Sequence, residues 1–167
     1  MTEFDGLIAS NERFAAEAAI PRLPAAPARR VAVLACMDAR IDVFRVLGLQ
    51  SGDAHVIRNA GGRASDDAIR SLIVSSVLLG TREVMVMHHT DCGMQTFTNE
   101  QLRSRIAGGA GAGATEPEID FLPFSDLDQS VRDDVRRIEE SPYLDAVTAV
   151  SGCVYDVESG RLRPVSR

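Results

Sequence analysis

The sequence predicts an α/β fold: a mostly parallel central β-sheet with an antiparallel edge strand, flanked by helices and preceded by an N-terminal helical arm. Three observations carry this expectation. Val31 to Cys36 is an unbroken apolar run of strand length, as expected of a strand buried on both faces. A strand–helix–strand pattern follows it at the spacing of a crossover unit. Near the end of the chain, Ser159-Gly160 separates two strand-like runs and turns the second back along the first.

The elements follow in order. Residues 3–19 have helical periodicity, with Phe4, Leu7, Ile8, Phe14 and Ala18 apolar, until Pro21, Pro24 and Pro27 stop the helix. Residues 1–29 therefore read as an arm with a proline-rich linker, and residues 30–167 as one domain. A short second strand at 54–57 is broken by Ala60-Gly61-Gly62. Asp66 or Asp67 is expected to cap a helix running to residue 79, with Ile69, Leu72, Ile73 and Leu78 inward, ended by Gly80. A third strand covers 83–88. The pattern then weakens through a glycine-rich stretch at 108–113. An amphipathic helix follows at 126–140, with Leu127, Val131, Val135 and Ile138 on one stripe. A fourth strand at 147–157 and the return strand at 162–165 complete the sheet.

Composition excludes several classes. Hydrophobic residues at 45% and charged residues at 25% suit a single globular domain. The net charge is −6, all 18 cationic residues are arginine, and none form a continuous basic track, which argues against nucleic acid. The longest apolar run, near Leu72, is broken by Ser75 and Ser76 and is too short for a membrane span. The first ten residues carry Glu3 and Asp5 and lack the order of a signal peptide, so a cytoplasmic location is expected. Three widely spaced cysteines, Cys36, Cys92 and Cys153, point to free thiols or metal ligands rather than a disulfide framework.

Chemistry-bearing residues gather at strand ends. Cys36 closes the first strand, and His88, His89 and Cys92 close the third. In open α/β sheets, ligands bind at the carboxyl ends of strands, where strand order reverses. Two thiolates and one imidazole suit Zn²⁺, and three protein ligands leave a fourth position for water, the catalytic pattern.

Asp38 and Arg40 follow in Cys36-Met37-Asp38-Ala39-Arg40, and the third strand runs out as His89-Thr90-Asp91-Cys92-Gly93. These segments resemble the Cys-x-Asp-x-Arg and His-x-x-Cys-Gly signatures of the β-class carbonic anhydrases, in the short prokaryotic branch. Arg58-Asn59-Ala60-Gly61 matches a third stretch of that family. The resemblance implies one zinc ion per chain, held by Cys36, His89 and Cys92. His88, one residue too far from Cys92 for the motif, is expected to pack beside the site or face solvent. The resemblance also implies an enzyme that reversibly hydrates carbon dioxide to bicarbonate and a proton. Arg40 would hold Asp38 off the metal by a bidentate pair. One Asp38 oxygen would remain to orient the nucleophile, and in some members the aspartate instead swings on as a fourth ligand. The family's assembly implies a homodimer or homotetramer, with the arm lying over the neighbouring subunit. Its larger members have a regulatory bicarbonate site that uses a tryptophan, which this chain lacks.

Ala60-Gly61 is expected to bring backbone close to the substrate, since glycine permits such approach. Gly93 is expected to open a helix whose amides face the site. His55 is a weak candidate for a proton relay, and the effect of Gly62 is not legible. Two rival readings share the ligands. One is a carbonyl sulfide or carbon disulfide hydrolase on the same scaffold. The other is a non-catalytic zinc module, which the Asp38-Arg40 pair and an open fourth position disfavour. A thiol oxidoreductase is weaker, because no Cys-x-x-Cys is present.

Overall fold

The first apolar run forms strand β1 (Val31–Cys36), and its burial on both faces follows from its place in the sheet. The computed structural model describes residues 2–109 and 117–166. Part of the glycine-rich stretch therefore lies outside the described residues.

The sheet comprises β1, β2 (Ala54–Asn59), β3 (Glu83–His89), β4 (Ala149–Tyr155) and β5 (Leu162–Ser166), ordered β2-β1-β3-β4-β5. The first four strands are parallel, and β5 pairs antiparallel with β4 at the edge. From β1 the chain crosses to one side to make β2, then to the other to make β3. Strand order therefore reverses between β1 and β3, which opens a crevice at their carboxyl ends.

Alternation of side chains across the pleat divides the core into two layers. On one face, Leu34, Val86 and Val154 pack against α3 (Asp66–Val77) and α5 (Leu127–Glu139). On the other, Val33, Met87, Cys153 and Tyr155 pack with Ile41 and Met94, beneath α2 (Val43–Leu47) and the turn after Cys92. Along α5, Val131, Val135 and Ile138 are buried, and Leu127 packs partly against them. Their helical spacing is the stripe expected from the sequence.

Several boundaries moved. The cap of α3 is Ser65, whose hydroxyl accepts from the Ala68 amide, rather than Asp66 or Asp67. The two aspartates fall inside the first turn, where they favour the positive helix end. The helix stops at Val77, so Leu78 leaves the apolar stripe and is 74% exposed rather than inward. Helices α2 and α4 (Asn99–Gly109) were not legible; α2 is one short turn, and α4 buries no residue.

At the N-terminus, α1 (Glu3–Glu17) has a capping box between Thr2 and Asp5 and buries none of its own residues. Phe4 is 69% exposed, and Leu7, Ile8 and Phe14 are exposed as well. The linker after it is anchored. Ala28 and Arg29 donate to the carbonyls of Gly52 and Asp53, and Pro27 is buried. His55 sits near the start of β2, paired with Ala32, and bridges Ser75 Oγ and the Ala25 carbonyl at 2.7 and 3.1 Å. It lies far along the strands from the carboxyl ends and ties down the linker, which removes it as a relay candidate.

Helix α5 seats on β4 at Gly152. A Cβ there would collide with Val131 Cγ1 and lie 3.0 Å from Val135 Cγ2. Both valines are β-branched and held to one rotamer in a helix, so neither can turn aside. Gly152→Ala is therefore expected to destabilise the fold by about 1–3 kcal/mol, the range for an overpacked core. Urea unfolding of the variant would show this as a lowered midpoint, and an unchanged midpoint would mean that α5 is not seated so closely.

Candidate metal centre

Cys36 and His89 end adjacent parallel strands, and Cys92 follows on the turn after β3. One ligand atom from each lies within 4.8 Å of those from the other two, and all three residues are buried. Strand pleating sorts the two histidines. His89 projects towards the cysteines. His88 projects through the opposite face and is fully buried beside α5, with Nδ1 2.9 Å from Ser130 Oγ and Nε2 3.1 Å from Asp134 Oδ2. His88 therefore packs behind the site, away from the cluster.

The tautomer of His89 is fixed by its neighbour. Nδ1 lies 2.8 Å from the Thr90 carbonyl oxygen, which can only accept, so Nδ1 carries the proton. Nε2 is left as a bare acceptor, buried and without a hydrogen-bond partner. An orphaned lone pair facing two buried sulfurs is costly unless a cation takes it up. The S₂N donor set, with its imidazole oriented from behind by a carbonyl, fits zinc.

One of the two thiols is prepared to ionise. A hydrogen bond from Cys92 drives Cys36 down to about 4 against the effect of burial, with help from the backbone amides of Asp38 and Gly61. The same bond and burial push Cys92 up, while the Met94 amide opposes them. The pair alone thus favours one thiolate and one shared proton, and a cation between them would favour releasing that proton.

Asp38 leans over this cluster, with Oδ2 3.8 Å from His89 Nε2. Arg40 grips it through Nε to Oδ1 at 3.0 Å and Nη2 to Oδ2 at 2.7 Å, and the Arg40 amide adds a 2.9 Å bond to Oδ1. These bonds hold the carboxyl well below the usual carboxylate range. The other edge of the guanidinium bonds Asp91, from Nη1 to Oδ2 at 2.7 Å and from Nη2 to the backbone carbonyl at 3.0 Å.

The glycines have different duties. Gly61, at φ +81°, is buried and supplies an amide to the Cys36 sulfur, while Ala60 is exposed. Gly93 is exposed and starts only a three-residue 3-10 turn, so the expected helix there is absent and α4 begins later, at Asn99. In that turn it is the Met94 amide that reaches a ligand, Cys92. Gly62 now has an explanation: at φ +69°, a Cβ would stand 2.9 Å from Ala35 C and Cys36 N, against the backbone that carries the first ligand.

Other contributors were missed. Arg58 donates to the Cys36 carbonyl at 2.9 Å and the Asp38 carbonyl at 2.7 Å, clamping the loop that leaves β1. It lay in a quoted motif, but nothing marked its targets. Arg63 and Asp134 form a buried pair at 2.7 Å, and Arg63 also bonds the Leu122 carbonyl and lies over the Phe124 ring. No local signal joins residues so distant in sequence.

A parallel sheet with a buried Cys-His-Cys cluster at its strand ends defines an α/β protein with a candidate metal centre, and comparison with known proteins defines the class more narrowly. The carbonic anhydrase family model matches residues 31–110. The chain is 45% identical over 167 residues to β-carbonic anhydrase 1 of Mycobacterium tuberculosis, covering 99% of each chain. It is 36% identical over 157 residues to a carbon disulfide hydrolase of an Acidianus species, covering 81% of this chain and 76% of that one. A crystal structure of a carbonic anhydrase from Streptococcus mutans superposes with a TM-score of 0.93 at 44% identity, covering 99% of both chains. The chain belongs to the β-class carbonic anhydrase family.

Asp134 yields a prediction on pH. Burial pushes its carboxyl up, but the adjacent His88 ring and the Arg63 guanidinium outweigh this and hold it below the ordinary value of 3.8. A depressed carboxylate stabilises the fold above its unfolded pKa and stops doing so as pH falls through its folded pKa. The gap in denaturant stability between wild type and Asp134→Asn should be full above about pH 4 and narrow below it. A gap that stays constant down to pH 2 would show that Asp134 is not held ionised by its neighbours.

Proposed function

We propose that this chain catalyses the reversible hydration of carbon dioxide to bicarbonate and a proton, with one zinc ion held by Cys36, His89 and Cys92. The observation that carries the reading is the bare, buried Nε2 of His89 facing two buried cysteines, with the Asp38–Arg40 pair beside it. Zinc in such a site supplies Lewis acidity, lowering the pKa of a bound water from 15.7 to about 7.

The chain's own residues do the rest. Thr90 orients the His89 ring through Nδ1. The amides of Asp38, Gly61 and Met94 point at the cysteine sulfurs and balance their charge. Arg40 keeps Asp38 ionised and turned aside, so that its oxygen accepts a hydrogen bond from the attacking water and aims a lone pair at the carbon of carbon dioxide. Released from Arg40, the same carboxylate, 3.8 Å from His89 Nε2, would be free to join Cys36, His89 and Cys92 in holding the metal. Ala60, Gly61 and Gly93 border the pocket where the substrate would lie.

The resemblance to a carbon disulfide hydrolase supports a second substrate reading on the same residues. Carbon dioxide is preferred here because the carbonic anhydrase relative is more similar and matches along the whole chain. Parallel assays with carbon dioxide and carbonyl sulfide separate the two.

Among the described residues, no helix is long and apolar enough to cross a membrane. Three free cysteines suit a reducing compartment, and the reading places the chain in the cytoplasm. Residues 1–29 act as an arm. Its apolar face is bare on this chain and is covered in a homodimer or homotetramer by a second copy.

Purified protein should carry one zinc per chain by atomic absorption. Cys92→Ser should lose it, whereas Cys153→Ser and His88→Ala should keep it. Arg40→Ala should retain zinc yet lose most hydration activity, and Asp38→Ala should lose on the order of 10²-fold, as for a positioned polar group. Stopped-flow hydration with zinc quantified decides this. Full activity in Arg40→Ala would leave Arg40 as a structural cation and end the gating reading. For assembly, deleting residues 1–20 should reduce the mass seen by light scattering, and a full-length protein that is monomeric at micromolar concentration would overturn the arm.

A further inference from the structure

Asp91 is the residue between the ligand-bearing end of β3 and Cys92 whose backbone is unusual. Its φ is +55°, in the left-handed region that a side chain other than that of Gly, Asn or Asp enters at a cost. A glycine would make that turn without strain. The sequence instead places a carboxylate there, 78% exposed, and among the described residues its side chain bonds Arg40.

The geometry of Arg40 explains the choice. Its guanidinium presents a planar fork with two working edges. The Nε/Nη2 edge meets Asp38, at 3.0 and 2.7 Å. The Nη1/Nη2 edge meets Asp91, at 2.7 Å to the side chain and 3.0 Å to the backbone carbonyl. Arg40 itself is 48% exposed, and a half-exposed arginine has enough rotamer freedom to leave a single partner. With both edges engaged, rotation that would free Asp38 must also break the bonds to Asp91. The Arg40–Asp91 contact also spans the loops leaving β1 and β3, so the grip on Asp38 is referenced to the turn that carries Cys92.

We propose that Asp91 is a positioning residue that locks Arg40 from behind, and so sets how readily Asp38 is released towards the metal. This rests on the gating reading above and assigns its control to a residue outside the Asp38–Arg40 pair. Asp91 touches neither substrate nor metal. Its effect must pass through Arg40 and appear only when Asp38 is present.

The test uses the full chain loaded with Co²⁺ in place of zinc, whose visible absorption reports entry of a carboxylate into the metal's shell. Wild type, Arg40→Ala, Asp91→Asn, Asp91→Gly, Asp38→Ala and the double variant Asp91→Asn/Asp38→Ala are compared at one pH, with metal content measured. Asp91→Asn keeps the backbone preference and removes the charge, and Asp91→Gly relieves the turn. Both should shift the ratio of carboxylate-bound to open cobalt in the direction of Arg40→Ala, by roughly two- to fivefold, the range for an exposed ion pair. The double variant should match Asp38→Ala alone, since the effect requires that carboxylate. If Arg40→Ala changes the spectrum and neither Asp91 variant does, the lock is wrong while the gate survives. If Asp91→Asn alters the spectrum equally in the Asp38→Ala background, Asp91 merely shapes the ligand loop, and the proposal is overturned. If Arg40→Ala has no effect either, the gate itself fails and the lock falls with it.

Discussion

The parallel pairing of β1 with β3 is the constraint on which the site depends. Register from Val31 with Glu83 to Ala35 with Met87 brings the ends of two strands, distant in sequence, to the same edge of the sheet. Cys36 leaves one strand there and His89 the other, and the following turn returns Cys92 to them. Strand order reverses at this pair, which is where open α/β sheets place their ligand sites. A one-residue slip of β3 would exchange His88 for His89 and place the ligand on the wrong face.

Much of the nearby polar structure acts to hold that edge still. Arg58 clamps two carbonyls of the loop leaving β1, and the packing at Gly62 leaves that strand end no room to shift. Behind the sheet, Asp134 on α5 joins Arg63 and stands against His88, tying helix, strand and the Leu122–Phe124 loop together. A buried pair of this kind gains little net stability over an apolar replacement. Its value here is placement: it fixes the strand whose next residue presents Nε2 to the cysteines.

The charges in front of the site follow a different logic from those behind it. Asp134 is enclosed and its partner nearly so, whereas Arg40 and Asp91 stand in solvent, where a single ion pair is weak. Two loops, those leaving β1 and β3, converge on the Arg40 guanidinium through four bonds, which turns individually weak contacts into a defined position. A carboxylate that must be restrained and yet remain releasable is better served by an exposed clamp than by a buried one.

The sequence by itself determined the strands, the amphipathic stripe of α5, the return strand and the ligand types, because each is written in local periodicity or in a short motif. Residues 31–36 and 162–165 were legible for that reason, as were Cys36, Asp38, Arg40 and the His-x-x-Cys run. What lay beyond it were the contacts closed by tertiary packing. The distance from Arg63 to Asp134, the targets of Arg58, the second partner of Arg40 and the crowding at Gly62 depend on segments that meet only after the sheet is assembled. The assumed helix after Gly93 failed for a related reason: the chain there is held in a tight turn, with Met94 buried and its amide directed at Cys92. Leu78, apolar and in phase, ended up in solvent because the helix stopped one residue earlier. Periodicity states which face an element can bury, and only the folded chain decides where that element ends and what meets it.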